Sequence, residues 1–181
     1  MVQDIHDTSM KLIEDLKKYE EMSNRDPLTG IYNHGKIKEE LTFALKRLKD
    51  DGTAVSLAMF DIDYFKNVND TYGHATGDYV IKSISGMVNE YLSEYNTHFG
   101  RWGGEEFVII ANEIDSDELQ HICEELRIRI SNYKFSNVNQ ITCSFGVIGV
   151  TPGETSLQAF ERVDKAMYKA KSNGRNCVVC G

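Results

Sequence analysis

No run of the 181-residue chain is apolar for long enough to span a bilayer, and its first residues are too polar and acidic for a secretory leader. Positive charge is also short: 20 Lys and Arg against 28 Asp and Glu leave a formal net charge of −8. That excludes unspecific attraction to nucleic acid or to an anionic membrane, although a local basic pocket stays compatible with it. The chain therefore reads as cytoplasmic, with no nucleic-acid partner and no membrane contact from this segment. Cysteine is limited to Cys123, Cys143, Cys177 and Cys180. Only Cys177-Val178-Val179-Cys180 has metal-like spacing; it lacks a second such pair or a histidine pair, and its valines suggest a short strand. Cys143 lies in an apolar run and reads as core. There are only two prolines, Pro27 and Pro152, and both mark breaks in the pattern. No internal repeat or low-complexity tract is present, and a 41% hydrophobic content suits one core plus an extension.

In that extension Val2, Ile5, Ser9, Leu12, Leu16, Tyr19 and Ser23 recur at alternating spacings of three and four, which makes one helical seam. Such a seam suits a coiled-coil stalk; the other reading is an exposed helix packed on its own domain. With the break at Pro27, residues 1–25 are expected as an N-terminal helix and 26–181 as a catalytic body. Ile37, Leu41, Ala44, Leu45 and Leu48 share one helical face, closed by Asp50-Asp51-Gly52. Val55 to Phe60 follows as a buried strand ending at Asp61. Helices are expected over about 64–72, 76–93, 116–131 and 156–171, strands over 141–150 and 176–180, and a hairpin around Gly103-Gly104. This alternation supports an α/β (α+β) fold with a mostly antiparallel sheet flanked by helices, but periodicity does not determine strand order.

Two acidic clusters carry the chemistry. Gly103-Gly104-Glu105-Glu106-Phe107 follows Phe60-Asp61-Ile62-Asp63 by about forty residues, and both have strand-like apolar flanks. Two glycines permit a tight turn and close approach to a ligand, and Asp61 could join the two glutamates at one point. Oxygen ligands at strand ends suit a hard cation such as Mg²⁺, which completes its shell with phosphates or water. An ordinary solvent-facing hairpin would also read as glycine-glycine followed by acids.

The wider motifs resemble the GGDEF family of diguanylate cyclases: Phe60-Asp61-Ile62-Asp63-Tyr64-Phe65-Lys66-Asn67-Val68-Asn69 continuing to Asp78, and Arg101-Trp102-Gly103-Gly104-Glu105-Glu106-Phe107. Asp26-Pro27-Leu28-Thr29-Gly30-Ile31-Tyr32-Asn33 is similar to the family's entry motif, and Asp164 to Asn176 to its C-terminal helix and turn. The resemblance implies a palm-like fold akin to class III nucleotide cyclases, and condensation of two GTP into cyclic di-GMP plus two pyrophosphates across two facing domains. It further implies a homodimer for catalysis and an upstream sensory or regulatory region. Carried over, Asp61, the Ile62 carbonyl, Glu105 and Glu106 would bind Mg²⁺, with Mn²⁺ as the alternative ion, and Glu105 would be the base. Lys66, Lys171 and Arg175 match phosphate contacts, Asn69 and Asp78 guanine contacts, and His74 a further substrate position.

Without the resemblance, Lys66 and Lys171 would be solvated surface lysines, Asn69 a turn residue, and Asp78 or His74 a cap. Asp26 and Arg101 are expected to pair, and Trp102 to pack the hairpin rather than stack on a base. The family's inhibitory product site uses Arg-x-x-Asp, but Glu94 and Thr97 stand at those positions here, which reverses the charge of the basic anchor. The alternative function is a catalytically silent module that binds GTP or cyclic di-GMP.

Overall fold

The computed structural model describes residues 10, 11 and 22–181. Most of the N-terminal seam, including Leu12, Leu16 and Tyr19, lies outside the described residues. Among the described residues, no helix is long and apolar enough to cross a membrane.

The chain runs α1 (His34–Asp51), β1 (Val55–Ile62), α2 (Phe65–Tyr72), α3 (His74–Leu92), β2 (Thr97–Gly103), β3 (Glu106–Asn112), α4 (Ser116–Asn132), β4 (Cys143–Gly149), α5 (Ser156–Ser172) and β5 (Val178–Cys180). The sheet order is β2-β3-β1-β4-β5. Pairing is antiparallel except between β4 and β5, which are parallel because α5 forms the crossover between them. The expected antiparallel-rich sheet is present, and element ends differ from the sequence pattern by only a residue or two. One such shift is at α3, which starts at His74. Gly73 makes the break from α2 by taking φ +83° and donating its N–H to the Asn69 carbonyl.

β1 is buried along its whole length because both sheet faces are covered. Successive side chains alternate between those faces. Val55, Leu57 and Met59 pack with Ile37, Leu41, Ala44 and Leu48 of α1 and with Ala159, Phe160, Val163 and Met167 of α5. Ala58, Phe60 and Ile62 pack on the other side with residues of α2, α3 and α4. Local chemistry sets the helix ends. The Asn33 carboxamide accepts the Lys36 N–H at 3.0 Å, Asp115 caps α4 through the Glu118 N–H, and Thr155 with Gln158 makes a reciprocal capping box at α5.

One aromatic row crosses the four antiparallel strands. Phe60 stacks on Phe107 at 4.9 Å and on Phe145 at 4.6 Å between ring centroids, and Phe99 stacks on Phe107 at 5.8 Å. Phe60 is the register partner of both Phe107 and Phe145. Aromatic pairs of this kind contribute about 0.5–1.5 kcal/mol each beyond the area they bury. The row stands one residue behind Asp61.

α5 lies directly on β4 at Gly146, where a β-carbon would collide with the backbone of Met167 and Val163. Gly146→Ala should therefore destabilise the domain by about 1–3 kcal/mol, which at this size lowers Tm by about 3–10 °C. Gly86→Ala should act in the opposite direction, because Gly86 sits on an exposed stretch of α3 with nothing near its added methyl. Thermal unfolding of both variants checks the pair of signs.

Candidate active site

The site gathers at one end of the sheet, where β1 stops and the β2–β3 hairpin turns. Gly104 adopts φ +51° at the hairpin tip, a conformation that glycine takes without strain. Behind it the β2–β3 register shifts between Arg101 and Gly103, a bulge that re-aims Trp102. The indole lies 4.1 Å from the Phe160 ring and 4.1 Å from His34, so its role is packing, as expected. Arg101 reaches forward: its Nε donates to the Gly104 carbonyl at 2.8 Å, and its Nη1 meets Asp26 Oδ1 at 3.3 Å. Burial would raise the Asp26 carboxyl, but the Thr29 hydroxyl and N–H together with Arg101 hold it below the usual range. The expected pair therefore ties the entry turn to the hairpin tip.

Asp61 and Glu106 are cross-strand partners. Glu105 stands between them in chain order at the turn, and its carbonyl accepts the Ile62 N–H at 3.3 Å. Asp61 is 7% exposed. Burial pushes its carboxyl above the ordinary aspartate value; Lys171, whose Nζ is 2.9 Å from Asp61 Oδ2, pulls the other way. Glu106 is also raised, first by burial and then by the neighbouring Asp61 charge, with Lys171 again opposing. Acids held this way favour a cation: the donor oxygens are hard, the charge is under-compensated, and the ammonium of Lys171 already stands against one of them. No three such groups among the described residues close around a single point. Asp61 and Glu106 still offer two neighbouring hard carboxylates, a donor type that suits an ion completing its shell with phosphate and water, as Mg²⁺ does.

Lys66 and Asn69 lie one turn apart on α2, with Lys66 exposed and Asn69 half-buried. His74 and Asp78 lie one turn apart on α3, both exposed. The helices meet at Gly77, where a β-carbon would collide with the Asn69 carboxamide, so Asp78 directly follows the residue that Asn69 touches. Asn69 and Asp78 thus sit within helices rather than at a turn or a cap. Lys171 lies in the last turn of α5, and Arg175 lies in the turn that follows with its guanidinium 4.4 Å above the Tyr64 ring.

Asp63, Tyr64 and Asp164 belong to this neighbourhood without having been singled out by the sequence. Asp63 is 4% exposed and accepts bonds from Thr142, Ser144 and Asn176, which are 79, 81 and 113 residues away along the chain. Asp164 bears on Glu106 as a like charge. The cysteine pair stays outside the site: Cys177 lies near the Ala170 carbonyl, and Cys180 is exposed near Gln120. Cys143 is fully buried, as expected.

The family model described as diguanylate cyclase, GGDEF domain, matches residues 23–177. The chain belongs to the GGDEF family. It is 37% identical over 154 residues to diguanylate cyclase DgcP of Pseudomonas aeruginosa, a match covering 83% of this chain and 23% of that protein. It is 31% identical over 180 residues to diguanylate cyclase DgcS of Shewanella oneidensis, covering 97% of this chain and 60% of the relative. This GGDEF chain thus spans between about a quarter and three-fifths of these curated relatives. The coiled coil and GGDEF domain of DgcB from Caulobacter crescentus, solved with c-di-GMP, superposes with a TM-score of 0.91 at 31% identity, covering 99% of this chain and 97% of that one. Diguanylate cyclase SiaD of Pseudomonas aeruginosa, solved with its activator SiaC, gives a TM-score of 0.86 at 35% identity, covering 99% and 70%.

Raised carboxyls make this GGDEF site costly to fold without a cation. A carboxyl whose folded pKa lies above its unfolded value stabilises the fold only while protonated, and that contribution is lost as pH rises through the folded pKa. In chelator-treated protein, Glu106→Gln should therefore raise Tm at pH 7 relative to the parent. The difference should fade as pH falls below the ordinary glutamate value of 4.5. Thermal melts across that pH range check both the sign and the window.

Proposed function

We propose that this GGDEF domain is a diguanylate cyclase that joins two GTP into cyclic di-GMP and releases two pyrophosphates. The observation that carries the reading is the pairing of Asp61 with Glu106 across two strands, with Glu105 at the adjoining tip and Lys171 on Asp61. The relatives' names point the same way.

The reaction needs a 3′-hydroxyl to attack an α-phosphate, so a site must take up a proton, offset phosphate charge and align the attacking oxygen. Asp61, the Ile62 carbonyl, Glu105 and Glu106 would hold Mg²⁺, or Mn²⁺ in its place. When bound, the ion supplies charge neutralisation and a lowered hydroxyl pKa. Glu105, at the half-exposed tip, would accept the proton. Lys171 compensates the buried Asp61, and the same ammonium would serve the polyphosphate of a bound nucleotide. Lys66 and Arg175 add positive charge for the same polyphosphate. Guanine offers adjacent N–H donors, which the Asp78 carboxylate can accept, while the Asn69 carboxamide can meet the remaining polar edge. His74, one turn from Asp78, borders the same place.

Ring closure forms two identical bonds, so each domain presents one GTP to the other and a homodimer is required. Residues 1–25 would serve as a helical stalk that brings two catalytic bodies, 26–181, face to face and raises their local concentration. The greater length of the relatives suits an upstream sensory or regulatory region. A nucleoside triphosphate substrate places the domain in the cytoplasm. Glu94 is exposed after α3 and Thr97 opens β2, so a product phosphate would meet no basic anchor there.

The deciding experiment is product analysis after incubation with GTP, ATP and Mg²⁺. Cyclic di-GMP is expected from the parent protein, and turnover should fall by about 10²–10³-fold in Asp61→Asn and in Glu105→Gln, with each variant still folded by circular dichroism. Bound GTP without product would support the silent module, a mixed dinucleotide would overturn the choice of two guanines, and full activity of both variants would overturn the metal assignment.

A further inference from the structure

The end of β1 and the loop that leaves it grip the end of α5 and the turn after it at three places. Asp61 Oδ2 meets Lys171 Nζ at 2.9 Å, Asp63 Oδ2 accepts the Asn176 N–H at 3.1 Å, and the Tyr64 ring carries the Arg175 guanidinium at 4.4 Å. Two of these contacts engage the basic pair itself. The middle one engages only backbone. Asp63 is buried, and besides Asn176 it accepts the Thr142 hydroxyl on Oδ2 and the Ser144 hydroxyl on Oδ1, each at 2.7 Å. All three donors are neutral, so the carboxylate is secured by hydrogen bonds rather than by a counter-charge.

The turn it holds needs holding. Gly174, Arg175 and Asn176 have φ of +107°, +66° and +46°, three successive residues on the left-handed side. Two of them carry side chains, which disfavour that region by about 1–2 kcal/mol each. Such a backbone persists where surrounding contacts over-determine it. Asp63 supplies one hold. Arg127 of α4 supplies a second: its Nη1 donates to Asn176 Oδ1 at 2.9 Å, while Glu124 clamps the same guanidinium at 2.6–3.1 Å.

We propose that Asp63 and Arg127 are positioning residues of the active site: together they lock the left-handed turn at Asn176, so that Arg175 and the adjoining Lys171 face the polyphosphate of the bound nucleotide. The inference rests on the GTP-binding reading above and assigns these two residues an effect on the phosphate end of the ligand alone. The guanine end, on α2 and α3, should not register their loss. A purely structural role would weaken both ends alike.

The test compares 3′-deoxy-GTP, which lacks the attacking hydroxyl, with guanosine, which lacks phosphate. Affinities are measured for the parent, Asp63→Ala, Asp63→Asn, Arg127→Ala, Arg175→Ala and the double variant Asp63→Ala/Arg175→Ala. Asp63→Ala and Arg127→Ala should each lose about tenfold or more for 3′-deoxy-GTP and less than twofold for guanosine. Asp63→Asn should recover most of the loss, since its carbonyl can still accept the Asn176 N–H. With Arg175 already removed, Asp63→Ala should cost much less than it does alone, because the two changes act through one contact. Equal losses for both ligands, or an undiminished Asp63 effect without Arg175, would overturn the proposal. If Asp63→Ala does not fold, Arg127→Ala decides through the same ligand split, and an unchanged split overturns it. A parent protein that fails to bind 3′-deoxy-GTP would overturn the GTP reading and this inference together; a parent that binds it, with variants that bind equally well, would overturn only this inference.

Discussion

Asp61 and Glu106 stand opposite each other only while β1 and β3 keep their register, and the phenylalanine row is the interaction that keeps it. A slip of one residue would carry Glu106 to the opposite face of the sheet and leave Asp61 without its partner. Phe60, Phe107 and Phe145 are fully buried, and Phe107 and Phe145 each stack on Phe60 as its register partners on the strands at either side. A slipped register would break that stack and push rings against the small or polar positions between them. The apolar core thus does more than hold the sheet together: it fixes the relative position of two charges one residue beyond its own edge.

Those charges oppose the fold that positions them. Asp61 and Glu106 are raised by burial, and each feels other carboxylates nearby. Lys171 answers them: it is an internal ammonium whose contact with Asp61 offsets part of the burial cost. Lys171 comes from the last turn of α5, where its charge also complements the helix C-terminus. On the proposed function, the same side chain would link the stability of the fold to phosphate recognition, and weakening it should disturb both.

Much of this was legible in the sequence because it is local. The 3.6-residue spacing of Ile37, Leu41, Ala44 and Leu48 marks α1, the unbroken run Val55 to Phe60 marks a doubly covered strand, and the glycine pair marks the hairpin. The carboxylates stood out for the same reason, since acids at the end of apolar strands lack an obvious structural use. Strand order was not legible, because pairing joins residues far apart in sequence and leaves no period. The start of α3 at His74 was missed because a glycine break between two helices reads as a longer loop. Asp63 was passed over for a related reason: its meaning lies in Thr142, Ser144 and Asn176, none of which is marked by its own neighbours. The seam of residues 2–23 has a clear pattern, but a pattern along one helix does not say what covers it.

The geometry also bears on why such a site should act in pairs. Its acids sit on a rim, at a strand end and a hairpin tip, rather than in an enclosed pocket, and the proposed phosphate and base contacts come from three further helices around that rim. An open half-site of this kind can bind and polarise one nucleotide, but it has no second α-phosphate within its own walls toward which to direct the 3′-hydroxyl. Orientation is a large part of what a phosphoryl-transfer catalyst supplies. On the proposed reaction, the missing part of the orientation would come from a second domain facing the rim. On the proposed two-domain reaction, the control point for activity lies in whatever sets the distance and angle between two rims, and the hairpin tip, tied back by Arg101 to the entry turn, is where the fold would pass that geometry to the chemistry.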